Sequence, residues 1–163
     1  YLSSPLSRHC LLQRLDYSDE NTIEAIEEII TTTFDTDRYF LDPKIDKKYS
    51  GLRYKNWFLN SFHDKEFATD VYFSRKSRDV IGFQMVKEGT DETHLMLGGA
   101  SKKYKGYGFI ASLLTDYLNY ALSQGLKTVF SSISSHNIEV FNIYIYLGFS
   151  LIDEKIVMRK IYQ

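Results

Sequence analysis

Lys103-Tyr104-Lys105-Gly106-Tyr107-Gly108-Phe109-Ile110 breaks off the apolar stretch Thr93 to Leu97 and opens a helix. Behind it, Ile110, Leu113, Leu114, Tyr117, Leu118 and Ala121 recur at the three- and four-residue spacing of one helical face. Glycines at 106 and 108 permit positive φ and leave no side chain between the backbone N–H groups and a ligand. The helix adds the positive end of its dipole, and Lys102, Lys103 and Lys105 stand at the rim, so the stretch is predicted to be an anion-binding turn. The formal net charge is −1, with 20 Lys and Arg against 21 Asp and Glu, so the anion preference is local. No global basic field points to nucleic acid or an anionic membrane.

Two other readings compete. A plain strand-to-helix turn with solvated lysines needs no ligand. Gly106 to Ala111 also fits the dinucleotide fingerprint G-x-G-x-x-G/A. About 20 residues further on, however, Phe130-Ser131-Ser132 stands where an acid should hold a ribose, and about 50 residues are too few to complete a doubly wound sheet. No Gly-Lys-Ser/Thr occurs, which excludes a phosphate loop of that type.

Around this stretch the chain alternates strands and helices. Leu11 to Leu15, Phe67 to Ser74, Asp79 to Glu88, Thr93 to Leu97 and Thr128 to Ile133 read as strands rich in Val, Ile, Tyr and Phe. Phe149 to Asp153 and Lys155 to Ile161 read as two closing strands. Helices are predicted from Asn21 to Thr33, from Ile45 to Ser61, after the glycine turn, and from Ser134 to Leu147; Gly125 and Gly148 stop the last two. Between the first two helices lies a connection, Phe34 to Pro43, unusually rich in charge and aromatics. The pattern predicts an α/β (α+β mixed) architecture, a central mixed β-sheet with helices on both faces.

The 163 residues, 44% hydrophobic and 25% charged, suit one globular domain spanning 1–163. The chain begins at Tyr1, which leaves room for an upstream segment. A single cysteine, Cys10, excludes an internal disulfide; it is expected in the core of the first strand, in a reducing compartment. No apolar run nears the roughly 20 residues that span a bilayer, so a cytoplasmic protein is expected. No metal is expected: the four histidines lack HExxH spacing, and Asp35-x-Asp37 lacks the rest of a calcium loop.

Lys103-x-x-Gly106-x-Gly108 resembles the Q/R-x-x-G-x-G/A motif of the GCN5-related N-acetyltransferases (GNAT). Asn137, Val140, Ile143, Tyr144, Gly148 and Phe149 match the second half of that family's signature, N-x-x-A-x-x-L/I-Y-x-x-x-G-F, in register. Lys103 departs from Gln or Arg, and Val140 from Ala; lysine keeps the charge but loses the planar fork. The resemblance implies a GNAT-like fold and acetyl-CoA as cosubstrate. It implies that Lys103, Tyr104, Lys105, Gly106, Tyr107, Gly108 and Phe109 bind the pyrophosphate through backbone N–H groups. Leu97 and Gly98 would pair with the pantetheine arm where their strand splays from Thr128 to Ile133, a main-chain N–H near Gly98 would face the oxyanion, and Asn137 would hold the pantetheine or the neighbourhood of the adenosine arm. Tyr144 would be the general acid, since a phenol of pKa near 10 stays protonated at neutral pH. Glu88, Glu92 and His94 are candidates for the general base, His94 first, against their reading as solvated turn residues.

Phe34-x-x-Asp37-Arg38-Tyr39-x-x-Asp42 with Tyr54-x-x-Trp57 is similar to bacterial acetyltransferases of the TDP-fucosamine type, which modify the amine of a nucleotide-linked deoxysugar. That shorter resemblance implies an amino-sugar acceptor, with Arg38 on a diphosphate and Tyr39, Phe40 or Trp57 stacking on a sugar or base. The alternative is a packed connection in which Arg38 pairs with Asp35 or Asp42. The implied partners are a small-molecule amine, a nucleotide sugar among them, with a homodimer left open and neither nucleic acid nor membrane. A protein or peptide N-acetyltransferase and a non-catalytic acyl-CoA-binding regulatory domain remain as other readings; an acidic cleft would favour the peptide, a cleft containing Arg38 would count against it.

Overall fold

The structure is a computed structural model and describes residues 10–104, 108–158 and 160. In chain order its elements are β1 (Cys10–Arg14), α1 (Glu20–Thr33), α2 (Arg38–Leu41), α3 (Lys48–Asn60), β2 (Phe67–Ser74), β3 (Val80–Glu88), β4 (Glu92–Ala100), α4 (Phe109–Ser123), β5 (Thr128–Ser131) and α5 (Ile138–Tyr146). The five strands lie side by side in that same order. Four form an antiparallel meander, whereas β5 joins β4 in parallel, the pairing that α4 makes possible as the crossover. The mixed sheet with helices on both faces is therefore as the sequence predicts.

One face buries Ile26, Ile29 and Ile30 of α1 and Phe58 of α3 against Val71, Phe83, Met85 and Leu97. The other buries Leu114, Tyr117 and Ala121 of α4 against Ala68, Val86 and Leu95. Leu95 and Leu97 lie two residues apart on one strand and should share a face, yet they belong to opposite cores. The cause is a bulge: Met85 faces Leu97 while Val86 faces Leu95, so Met96 has no counterpart on β3. Cys10 is buried in β1, where the sequence placed it. No helix among the described residues is long and apolar enough to cross a membrane.

Several boundaries move. Phe34 to Pro43 is not wholly irregular: Asp37 caps the short α2, its Oδ1 accepting from the Tyr39 and Phe40 N–H groups at 2.7 and 3.4 Å. The helix expected from Ile45 starts at Lys48, because Asp46 Oδ1 takes the Lys48 N–H in a turn. β5 ends at Ser131 rather than Ile133, and α5 begins after Asn137 rather than at Ser134. The two closing strands are the clear correction: the described residues beyond Phe149 form no ladder. Leu151, Ile152, Ile156, Val157 and Met158 are all exposed, the last at 90%. Apolar alternation measures fitness for a pleated surface, but a strand exists only where a neighbour supplies the hydrogen bonds.

Beneath α4 the sheet holds a buried carboxylate. Asp70 is 3% exposed; its Oδ1 meets Arg14 Nε at 3.2 Å, and its Oδ2 has no hydrogen-bond partner. Burial pushes the carboxyl up to about 6, with Arg14 opposing and Glu88 reinforcing the rise. The folded state thus holds this proton more tightly than the unfolded chain. Its contribution is complete below about pH 4 and is lost as pH rises through about 6, for about 3 kcal/mol at most. Urea titrations of wild type and Asp70→Asn at pH 4.5 and 7 should show the wild type losing stability relative to the variant as pH rises; parallel behaviour would contradict the assignment.

Candidate active site

β4 and β5 pair only from Glu92↔Thr128 to Leu95↔Ser131. Beyond that point β4 continues to Ala100, held by β3 alone, while the other chain turns away through Ser132, Ile133 and Ser134. A cavity of about 180 Å³ opens in the gap, lined by Met96 to Gly99 on one side and Ser131 to Ser134 on the other. Phe83 and Leu114 contribute from the sheet and α4, and Phe34, Asp37 and Tyr54 from the α1–α3 segment. Ser134 Oγ donates to the Thr36 carbonyl at 2.9 Å, tying that segment across to the end of β5.

Tyr144 lines this cavity from α5. Its ring packs on Phe149 at 4.8 Å, and its hydroxyl oxygen accepts from Ser131 Oγ at 2.8 Å. With the oxygen accepting there, the phenolic proton remains available for donation. Burial raises the pKa above the ordinary 10 while the Ser131 hydrogen bond works against that rise, so the group is protonated at every physiological pH.

Gln84 carries no motif and went unnoticed in the sequence. Its Nε2 donates to the carbonyls of Met85 and Leu97, at 3.1 and 3.4 Å, and the amide lines the cavity. It fits because its register partner is Gly98: a side chain there would collide with the Gln84 amide. Gly98 thus keeps β4 open both to its neighbour and to the cavity.

At the start of α4 the N-cap is Gly108, at φ 69°, with no side-chain cap. A Cβ there would meet nothing within 4 Å, so glycine is required by conformation rather than by crowding. Lys105, Gly106 and Tyr107 lie outside the described residues. Tyr104 and Phe109 stack edge-on at 5.1 Å over the core. Lys103 points elsewhere: its Nζ binds Asp79 Oδ2 at 2.9 Å, the hydrogen bond that chiefly raises its pKa. The parted strands, the half-buried tyrosine and the start of α4 fit the pantetheine, thioester and phosphate portions of acetyl-CoA.

Asn137 also lines the cavity, and its Oδ1 accepts the Val140 N–H at 3.3 Å as the N-cap of α5. The motif asparagine therefore sets the start of the helix that aims Tyr144. His94 is outside the cavity lining; its Nε2 lies 3.2 Å from Glu92 Oε1 and its ring stacks on Phe130 at 4.9 Å. Glu88 accepts from Arg14 at 2.7 Å on the far side of the strand end. Arg38 donates to Tyr39 Oη at 3.0 Å, and Trp57 stands behind Tyr54, with ring centroids 6.3 Å apart. Asp37, the one carboxylate in the lining among the described residues, is already occupied by the α2 cap and Ser50 Oγ.

Solved structures share this arrangement. The PaiA N-acetyltransferase of Thermoplasma acidophilum, in complex with coenzyme A, superposes with a TM-score of 0.66 at 17% identity, over 90% of this chain and 92% of that one. An aminoglycoside acetyltransferase from an uncultured soil metagenomic sample gives 0.65 at 8% identity, over 97% and 99%. This is the GCN5-related N-acetyltransferase fold. The GNAT expectation for the architecture is met, and the parted strands of β4 and β5 are its open seam. No family model matches the chain. Among curated proteins it is 24% identical over 127 residues to the spore coat polysaccharide biosynthesis protein SpsD of Bacillus subtilis (strain 168). That match takes in 78% of this chain and 43% of the relative, so the chain spans less than half of SpsD.

Proposed function

We propose that the chain transfers an acetyl group from acetyl-CoA to the primary amine of a small acceptor, an amino sugar carried on a nucleotide, by direct attack with Tyr144 as general acid. The observation that carries this reading is the opening between β4 and β5 beside a half-buried tyrosine whose hydroxyl oxygen accepts from Ser131. Bound acetyl-CoA supplies the activated thioester carbonyl. The β4 backbone at Leu97 and Gly98 offers its edge to the pantetheine amides, and a main-chain N–H near Gly98 steadies the developing oxyanion. Gly108 and Phe109, with the neighbouring Lys105, Gly106 and Tyr107, take the pyrophosphate through backbone N–H groups; the Tyr104 N–H is held by the Ser101 carbonyl at 2.8 Å, so Tyr104 serves by packing on Phe109, and Lys103 serves by its main chain, its amine being held by Asp79. Asn137 orders α5, and Tyr144 returns a proton to the departing thiolate.

Among the described residues no free base lines the cavity, so the ammonium proton of the acceptor leaves through water. His94, next to Leu95 on β4 and paired with Glu92, is the proposed end of that path. His94→Gln should lower kcat/KM by less than any change at Tyr144 with KM for acetyl-CoA unchanged; wild-type kcat/KM in the variant would remove His94 from the path.

The acceptor reading draws on the polysaccharide role in the name of SpsD and on Arg38 and Tyr39 beside the cavity mouth, with Trp57 backing Tyr54. A peptide acceptor is less well served: a basic peptide calls for free carboxylates, and Asp37 is taken. A thiol-release assay with acetyl-CoA against free amino sugars, TDP-linked amino sugars, polyamines and peptides tests the proposal. Turnover with amino sugars is expected; activity confined to peptides would overturn the acceptor, and no turnover with any amine would overturn the enzyme.

A further inference from the structure

Resting on that acetyltransferase reading, we propose that Arg53, a residue no motif singles out, joins Arg38 at the Tyr39 ring to form a two-guanidinium clamp for the diphosphate of the acceptor. The Tyr39 ring carries both cations: Arg53 Cζ lies 4.3 Å and Arg38 Cζ 4.8 Å from its centroid. Arg53 also stands 5.0 Å from the centroid of Tyr54. Two positive groups this close repel each other, and π faces with one phenol oxygen are what offset that repulsion. Neither guanidinium enters an ion pair among the described residues, and both are exposed, so their remaining donors face solvent. The phenol of Tyr39 is pulled below 10, chiefly by the Arg38 hydrogen bond, which shows how positive this spot is.

The cluster is fixed to the reaction site. Tyr54 lines the cavity, and so does Asp37, whose carboxylate holds the Tyr39 N–H at 2.7 Å. An anion seated between the two guanidiniums therefore lies at the mouth through which the amine enters. Planar, always-charged forks match phosphate oxygens two at a time, and two forks gathered at one ring suit two linked phosphates better than a single carboxylate.

The test compares a TDP-linked amino sugar with the same amino sugar lacking the nucleotide, and measures binding of thymidine diphosphate by calorimetry. Arg53→Ala and Arg38→Ala should each raise KM for the linked sugar at least about ten-fold more than for the free sugar, and weaken thymidine diphosphate binding by a similar factor. Arg53→Lys should recover only part of the loss, since it restores charge without the fork. If thymidine diphosphate binds and both variants lose it while no amine is acetylated, the clamp stands and the acetyltransferase reading falls. If amines are acetylated but Arg53→Ala leaves both the KM ratio and thymidine diphosphate affinity unchanged, or wild type does not bind thymidine diphosphate, the clamp is overturned.

Discussion

Tyr144→Phe is expected to lower kcat by about 10²- to 10⁴-fold, the usual worth of a positioned general acid. KM for acetyl-CoA should stay within about two-fold, because the ring and its packing on Phe149 remain and the loss falls on the transition state. The pH profile adds a second readout. Since burial holds the phenol above pH 10, any fall in kcat caused by its ionisation lies on the alkaline side of that value, and the variant should lack it. Stopped-flow and steady-state thiol release measure both. Wild-type kcat in the variant with every amine tested would end the general-acid assignment.

The second large effect is on stability. Phe58 is fully buried, edge-on to Phe62 at 4.9 Å and 6.0 Å from Phe83, which lines the cavity. Phe58→Ala should cost about 3–5 kcal/mol, from lost burial and the hole it leaves between α3 and the sheet. Urea unfolding should show a lower midpoint with an unchanged slope. A loss below about 1 kcal/mol would mean that the α3 face collapses onto the hole and that the cavity floor does not depend on it.

Much of this site was legible in the chain because its parts are local. The apolar spacing of α4, the glycine at 108 and the seven-residue step from Asn137 to Tyr144 are set by helix geometry, and the structure places Gly108 at the start of α4 and Tyr144 in the cavity. What stayed hidden depends on distant partners. The Met96 bulge arises only when β3 and β4 are laid side by side, and it sends Leu95 and Leu97 into opposite cores. Gln84 matters because Gly98 is opposite it, and Arg53 because α2 sets Tyr39 beside it. The expected closing strands failed for the same reason: the apolar residues are present, but the ladder that would make them strands is a property of a neighbour. Asn137 shows a motif residue doing ordinary structural work, capping the helix that carries the acid.

A crystal structure with coenzyme A tests the central claim most directly. The account predicts the pantetheine arm between Leu97 to Gly99 and Ser131 to Ser134, its sulfur on the Tyr144 side of the cavity and its pyrophosphate at the Gly108 end of α4. Coenzyme A bound elsewhere, or a seam between β4 and β5 that stays closed to it, would contradict the account.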